Sequence, residues 1–188
     1  MGNRLSKIIT RTGDKGSTGM ADGSRRAKNN IRVHCLGEVD ELNTTIGVVL
    51  SQLEDGPAQQ TLFAIQHDLF DIGAELCQPG KSLILADYVE ALETSAEEFN
   101  QSLTPLQEFI LPGGSQAVAS LQLARCVCRR VERSLVALAD EEECNPITAQ
   151  YINRLSDLLF ILARAQAQLE GSGEVYWTSK YSRLNRGD

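Results

Sequence analysis

Apolar residues return every three or four positions along most of this chain, and this period constrains the fold more than any other feature. The first run comprises Leu36, Val39, Leu42, Ile46, Val49 and Leu53. Such a period places the apolar side chains on one face of an α-helix. Four further runs of the same kind follow, over residues 62–76, 87–103, 115–138 and 146–169. The period therefore predicts five helices around one apolar core.

Turn signals between these runs set the helix ends. Asp55-Gly56-Pro57 stops the first helix, and Asn145-Pro146 opens the fifth. Mostly short connections of this kind are typical of a helical bundle. We predict an all-α fold with a single domain. It has an irregular Gly-rich arm over residues 1–33, a five-helix bundle over residues 34–170, and a polar, mobile tail over residues 171–188.

Composition agrees with a helical protein. Aromatic residues make up only 5% of the 188 residues, which disfavours a β-sandwich or barrel. No stretch approaches the roughly 18 apolar residues that a membrane span needs, so no membrane partner is expected. The five cysteines form no CxxC pair, which favours free thiols in a reducing cytoplasm.

Charge is distributed unevenly between the arm and the bundle. Residues 1–34 have a net charge of +6, which leaves −13 on the rest of a chain whose total is −7. A basic, Gly-rich arm on an acidic body favours an anionic ligand, although a solvated tail has the same composition. Nucleic acid is a weaker candidate, because the acidic body would repel it and residues 1–34 contain no aromatic residue to stack on a base.

Three of the predicted helices also carry polar stripes. On the fourth helix, Arg125, Arg129, Glu132 and Arg133 fall within about 100° of arc. The fifth helix carries Asn153, Asp157 and Arg164, and the first carries Asp40, Asn43 and Gly47. A solvated surface face would look similar, but arginines on one stripe also suit a phosphate ligand. The stripes predict a polar cleft or a subunit interface.

Several common catalytic patterns are absent from the sequence. The run GDKGST resembles a phosphate-binding loop in composition, but it lacks the GxxxxGK[ST] spacing. His34 and His67 are isolated, and no residue is predicted as a metal ligand. An enzyme with this sequence is therefore not expected to depend on a strong general base.

Four segments of the chain resemble one known family. They are TRTGDKGSTGMADGSRRAKNNIRVHCLGEVDELNTTIG, FILPGGS, ARCVCRRVERSLVAL and YINRLSDLLFILAR. In this order and spacing they are similar to the signatures of propanediol-utilisation-type ATP:cob(I)alamin adenosyltransferases. The resemblance covers most of residues 7–169.

The resemblance implies the reaction and the assembly. The enzyme would transfer the 5′-deoxyadenosyl group of ATP to the cobalt of cob(I)alamin, releasing triphosphate, with Mg²⁺ as cofactor and a flavin-dependent reductase as electron donor. It would form a homotrimer with ATP bound at each subunit interface. Cob(I)alamin is a very strong nucleophile, which is consistent with a basic site that has no poised histidine.

The resemblance also assigns residues by position. Arg129 and Phe109 would be catalytic, and Asp40 and Arg125 would pair between subunits. The residues expected to bind ATP are Thr10, Arg11, Thr12, Gly13, Thr18, Lys28, Arg129, Arg130, Glu132, Arg133 and Asn153. Phe109 would displace the lower ligand of cobalamin, whereas a lone phenylalanine is more often a core residue. A non-catalytic helical ATP sensor remains the alternative from another class.

Overall fold

The computed structural model describes residues 8–179, so the predictions for residues 1–7 and 180–188 lie outside it. The five helices are α1 (Ile31–Leu50), α2 (Pro57–Leu76), α3 (Ala86–Asn100), α4 (Gln116–Glu141) and α5 (Pro146–Leu169). Two short strands, β1 (Ser17–Gly19) and β2 (Arg25–Ala27), precede them. The predicted five-helix bundle is confirmed.

The bundle is built around α4, which packs against both α1 and α5. Helix α2 packs against α1, and α3 packs against α5. Helices α1 and α4 are antiparallel, because the Cys35 thiol near the start of α1 donates to the Ser134 carbonyl near the end of α4. No helix within residues 8–179 combines the length and apolar character that crossing a membrane requires.

Side-chain caps fix where three helices begin. Asn30, Ser115 and Asn145 each accept a hydrogen bond from a backbone N–H of the first turn. The cap at Asn30 starts α1 before the predicted boundary at residue 34. The apolar period missed this first turn because Arg32, a charged residue, occupies a buried position there.

The first helix also ends earlier than predicted, at Leu50. The Ser51 hydroxyl donates to the Val48 carbonyl, and Gln52 N–H donates to the Val49 carbonyl, so a turn satisfies the last groups of the helix. Leu53 still packs against the core from this turn. Leu53 therefore matched the helical spacing, although α1 ends three residues before it.

A buried carboxylate ties the loop after α2 to the start of α5. Glu75 accepts hydrogen bonds from the backbone N–H groups of Leu83 and Ile84, at 2.7 and 3.1 Å, and from the Asn145 side chain at 2.9 Å. The Thr148 hydroxyl also donates to it. These donors satisfy a charge that would otherwise be costly to bury.

All five cysteines are free thiols. Cys35 and Cys128 are buried in the core, and burial raises the pKa of Cys35 to about 12. Thiols with such raised pKa values are protonated and unreactive at neutral pH, which fits a packing role.

The arm contains a β-hairpin that the sequence analysis did not predict. Strand β1 pairs antiparallel with β2, with Thr18 opposite Arg26. The turn between them uses Asp22, whose carboxylate accepts from Ser24 N–H at 2.8 Å, and Gly23, whose φ is +85°. The strands are too short and too polar to give a periodic signal, although Asp-Gly is a common hairpin turn.

The segment after α5 also differs from the predicted mobile tail. Gly171 (φ +64°) ends α5, and Ser172 N–H donates back to the Ala167 carbonyl, the pattern of a Schellman cap. Residues 174–177 then run beside residues 109–111, with Ile110 and Tyr176 bridged as antiparallel partners. The described part of the tail is therefore seated on the bundle.

Candidate active site

Two residues of the polar stripe on α4, Arg129 and Glu132, form an ion pair, and Arg129 is the more exposed of the two. Half of its side chain is accessible, and its Nη1 lies 3.9 Å from Glu132 Oε2. The neighbouring Arg133 donates from Nη1 to the Arg129 carbonyl at 2.9 Å. An ion pair this long and exposed is weak, so the guanidinium of Arg129 is available to an anion.

A chain of polar contacts connects the stripe to α5 and α3. Asn153 donates from Nδ2 to Glu132 Oε1 at 2.8 Å. Arg154 donates from Nη1 to Asn153 Oδ1 at 2.9 Å and from Nε to Glu93 Oε1 at 2.6 Å. These contacts fix the orientation of the Asn153 amide and bring two predicted site residues, Glu132 and Asn153, together.

Sequence reasoning did not identify Arg154 and Glu93 as members of this series of polar contacts. Arg154 is adjacent to Asn153 in sequence, but the orientation of its side chain depends on Glu93, which lies 61 positions away. Only the packing of α3 on α5 brings these two side chains together, so no local pattern reveals the pair.

Arg164 does not join the Asn153 end of the site, although both residues were assigned to one stripe. It follows Asn153 by 11 residues, which is roughly 16 Å along the helix. It is also buried, with only 5% of the residue accessible. Its partners are Glu174 and the Thr104 carbonyl, so it belongs to the other end of α5.

Arg130 points away from Arg129, towards α1. It forms an ion pair with Glu41, and its Nε lies 3.8 Å from Glu38 Oε1. The hydrogen bond from Arg130 to Glu41 raises the pKa of that guanidinium. Successive helical residues are about 100° apart around the axis, which explains why two adjacent arginines face different surroundings.

Asp40 and Arg125 occupy different surfaces of the protomer. Asp40 is exposed and lines a groove of about 390 Å³ between α1 and α4, together with Thr44, Val48 and Leu123. Arg125 donates from Nε to Gln122 Oε1 at 2.9 Å, and its guanidinium lies 6.0 Å from the centroid of the Phe160 ring. No hydrogen bond or ion pair in the described chain joins Asp40 to Arg125. Their pairing between subunits stays a prediction.

The N-terminal part of the arm folds back on the hairpin. The hydroxyls of Thr10 and Thr12 are 3.0 Å apart, and Arg25 donates from Nη2 to the Thr12 carbonyl at 2.8 Å. Gly13 lies so close to Lys28 that a Cβ on it would be 3.1 Å from Nζ. The arm thus brings Thr10, Thr12, Gly13 and Lys28 together, with Arg11 between them at a left-handed φ of +59°.

Two arginines anchor this arm to one end of the bundle. Arg26 and the buried Arg32 each form an ion pair with Glu142 at 2.8 Å. Burial would raise the pKa of Glu142, but the hydrogen bond and charge of Arg32, together with Arg26, hold that pKa below its usual value. Met20 is buried at the same end, and Ala21 N–H donates to the Cys77 carbonyl at 3.0 Å.

The arm and the stripe are separated along α4 within one protomer. Glu142 follows Arg129 by 13 residues, which is roughly 19 Å of helix. Among the hydrogen bonds and ion pairs of residues 8–179, none joins the arm to Arg129 or Asn153. The structure therefore separates the arm residues around Gly13 and Lys28 from the stripe residues around Arg129 and Asn153, which form two clusters.

Phe109 lies on the surface and not in the core, with 77% of the residue accessible. Its N–H donates to Glu108 Oε1 at 2.8 Å, and its carbonyl accepts from Trp177 N–H at 2.7 Å. The surrounding exposed apolar residues are Leu106, Leu111, Val175, Tyr176 and Trp177. This surface suits a large apolar ligand, and the alternative of a core aromatic residue is excluded.

A profile of the cobalamin adenosyltransferase family matches residues 8–166, a range that includes every candidate site residue from Thr10 to Asn153. The chain belongs to the cobalamin adenosyltransferase family. A relative in Cupriavidus metallidurans, itself described as a cobalamin adenosyltransferase, is 51% identical over 94% of this chain and 97% of that protein. A corrinoid adenosyltransferase of Bacillus subtilis is 40% identical over 90% of this chain and 91% of its own length.

Solved structures of adenosyltransferases share the fold. A variant of the PduO-type ATP:corrinoid adenosyltransferase from Lactobacillus reuteri, complexed with cobalamin and ATP, has a TM-score of 0.87 and 35% identity, and covers 92% of this chain and 100% of that chain. A second variant, complexed with ATP, has a TM-score of 0.85 over 91% of this chain and 100% of that chain. The family, the fold and the transferase class predicted from the sequence are confirmed.

Proposed function

We propose that this adenosyltransferase moves the 5′-deoxyadenosyl group of ATP to the cobalt of cob(I)alamin by means of two surfaces, an arginine stripe for the triphosphate and an apolar patch for the corrinoid. The observation that carries this proposal is the exposed Arg129 beside the fixed Glu132–Asn153 pair. In the reaction, a bond forms between cobalt and C5′ while the C5′–O bond breaks. The triphosphate leaves with the bonding electron pair.

The stripe would stabilise the charge that develops on the leaving group. Arg129 has only a long contact to Glu132, so it can turn to phosphate oxygens without losing a strong partner. Donors that are already in place cost little reorganisation during the reaction. The contacts from Asn153 to Glu132 and from Arg154 to Asn153 would keep this surface in one geometry.

The arm would complete the nucleotide site from a neighbouring subunit. Thr10, Thr12, Gly13 and Lys28 lie together on an arm that is anchored at Glu142, whereas Arg129 lies about three and a half turns back along α4. A homotrimer can bring the arm of one chain to the stripe of the next. The groove beside Asp40, with the exposed apolar residues Val48 and Leu123, supports a subunit contact there.

Mg²⁺ fits this site as a companion of the triphosphate. No group of three or more His, Cys, Asp or Glu side chains within residues 8–179 is placed to hold a metal ion. Mg²⁺ commonly binds through one or two carboxylates, substrate phosphates and water, and Glu132 is the carboxylate beside Arg129 that could contribute. When bound, the ion would neutralise phosphate charge.

The patch around Phe109 would receive the corrinoid. An exposed ring among Leu111, Val175 and Trp177 offers the apolar wall that displaces a lower ligand from cobalt. Cobalt without that ligand is easier to reduce, because the accepting orbital loses an axial donor. A flavin-dependent reductase would supply the electron, and the five free thiols fit the reducing cytoplasm in which such a donor works.

One assay tests this function. The chain is incubated with ATP, Mg²⁺ and chemically reduced cobalamin, and the visible spectrum is followed for the cobalt–carbon bond while released triphosphate is quantified. Equal amounts of adenosylcobalamin and triphosphate are expected. ATP binding without either product would instead support the non-catalytic sensor.

A further inference from the structure

Phe109 has little side-chain packing to hold its ring in place. With 77% of the residue accessible, the position of the ring depends on the backbone. Two backbone groups of Phe109 are fixed, by Glu108 and by Trp177. The second contact comes from the segment after α5. Two residues after Phe109, Leu111 N–H donates to the Val175 carbonyl of the same segment at 2.8 Å.

A buried ion pair joins the segment over residues 174–177 to α5, in addition to these backbone bonds. Arg164 Nε lies 2.6 Å from Glu174 Oε1, and only 5% and 17% of the two side chains are accessible. Arg164 Nη2 also donates to the Thr104 carbonyl at 2.8 Å. One guanidinium therefore holds both the start of the loop that carries Phe109 and the segment that pairs with it.

The loop between these anchor points has little regular structure of its own. Residues 101–115 connect α3 to α4 and contain Pro105, Pro112 and the Gly113-Gly114 pair, with Gly114 at φ +118°. A loop of this composition keeps many conformations unless contacts select one. Apart from the bond to Glu108, the contacts that do so around Phe109 come from residues 174–177.

We propose that the Arg164–Glu174 ion pair is a positioning element for Phe109 that sets the efficiency of corrinoid reduction. Arg164 and Glu174 would not touch the corrinoid. They seat residues 174–177 against residues 109–111, which aims the Phe109 ring at the position of the lower ligand. The inference rests on the proposed role of Phe109. It reaches beyond the part of the chain that the family profile matches, since Glu174 and Trp177 follow residue 166.

Glu174→Gln is the variant that tests the proposal, because it removes the charge and keeps a side chain of similar shape. We expect turnover that starts from Co(II) to fall roughly tenfold or more, because a small displacement of a positioned group strongly slows a reaction that depends on its geometry. Turnover from preformed Co(I) should change less than about twofold, because that form has no lower ligand to displace. The affinity for ATP should be unchanged. Glu98→Gln, an exposed carboxylate on α3, is the matched control.

A double-variant cycle separates positioning from a general loss of structure. If Glu174 acts through Phe109, adding Glu174→Gln to Phe109→Ala should cause no further loss of turnover from Co(II). Trp177, the only tryptophan of the chain, reports independently on the segment. Its fluorescence anisotropy should fall in Glu174→Gln, while the melting temperature of the bundle changes little.

The proposal is overturned if Glu174→Gln slows both cobalt states equally, if its effect persists in the Phe109→Ala background, or if turnover is unaffected while the anisotropy falls. A failure of the proposed function has a different signature. In that case the unaltered chain makes no adenosylcobalamin, or Phe109→Ala shows no preference between the two cobalt states.

Discussion

Arg129 and Arg130 show how much two adjacent, identical residues can differ. Arg129 is half exposed and has one long contact, whereas Arg130 is held by Glu41 and Glu38 on α1. The family resemblance assigned both to ATP. Their side chains leave the helix about 100° apart around its axis, so they face different neighbours. Only the position of α1 shows that Arg130 is the one held by carboxylates.

Arg129→Ala is expected to lower turnover by roughly 10²-fold, because it removes a donor from the developing charge of the leaving group. The melting temperature should stay near that of the unaltered chain, since the side chain is half exposed. Steady-state kinetics and a thermal melt on one preparation measure both. Lys81→Ala, which removes a surface cation from the loop between α2 and α3, is the control. Turnover within twofold of the unaltered enzyme would place Arg129 outside the chemistry.

Glu142 gives the anchor of the arm a dependence on pH. Its carboxylate has a lowered pKa because Arg32 and Arg26 outweigh the effect of burial. A lowered folded-state pKa contributes stability that is present above the unfolded pKa and is lost as the pH falls through the folded value. The anchor should therefore be at full strength at neutral pH and weaken below pH 4.5, the ordinary value for this group.

We expect Glu142→Gln to lower the free energy of unfolding by about 1–3 kcal/mol at pH 7, because the buried Arg32 loses its charged partner. The difference from the unaltered chain should shrink as the pH is lowered through the acid range. Urea unfolding at several pH values measures this difference. The exposed neighbour Glu141, changed to Gln, serves as the control. A difference that does not vary with pH would show that the charge of Glu142 is not what matters.

At the scale of elements, the arm divides into an anchored hairpin and a terminal loop. Strands β1 and β2 are tied to the bundle through Arg26, Met20 and Ala21. The loop before them, which carries Arg11 and Lys15, is exposed, and it is held by the bonds from Arg25 to the Thr12 carbonyl and from Lys28 N–H to the Gly16 carbonyl. These two parts should respond differently to nucleotide.

Limited trypsin digestion should cut after Arg11 and Lys15 first in the absence of ligand. Saturating Mg²⁺ and ATP should slow those cuts at least about tenfold, because bound nucleotide orders the loop. Cleavage after Lys81, in the loop between α2 and α3, serves as the internal control. Mass spectrometry of the fragments gives each rate. If nucleotide leaves the cuts at Arg11 and Lys15 unchanged, the arm is not the binding element.

The helices could be predicted from the sequence because each one buries an apolar stripe whose spacing shows in the residues themselves. The hairpin and the segment over residues 174–177 could not be predicted in the same way. The hairpin is short and polar, the segment is only four residues long, and each is fixed by distant partners: Glu142 for the hairpin and Arg164 for the segment. Tertiary contacts, and not local propensity, determine their structure.

At the scale of the whole molecule, the candidate site is divided between two clusters that lie apart along α4 of a single chain. Resemblance supplied most of its residues, but the division into an arm cluster and a stripe cluster emerged only from the structure. The separation of roughly 19 Å along α4 depends on where the arm is anchored, and a sequence carries no direct signal of that distance. A second subunit is the simplest way to bring the two clusters together.

Asp40 and Arg125 should therefore couple in the assembly and not in the isolated chain. Each single change, Asp40→Ala or Arg125→Ala, is expected to weaken trimer formation roughly tenfold or more if the pair is buried between subunits. The exchange Asp40→Arg with Arg125→Asp should recover part of the loss. Sedimentation velocity over a range of concentrations measures the association. Additive effects of the two single changes would argue against contact.

The five free thiols also determine how this protein can be handled. Generating Co(I) calls for very strong chemical reductants, and in many proteins such reagents break a crosslink on which the fold depends. All five cysteines are unpaired here, so there is no such bond to lose. A drop in rate during a strongly reducing assay would consequently report on the cobalt chemistry and not on unfolding of the enzyme through disulfide reduction.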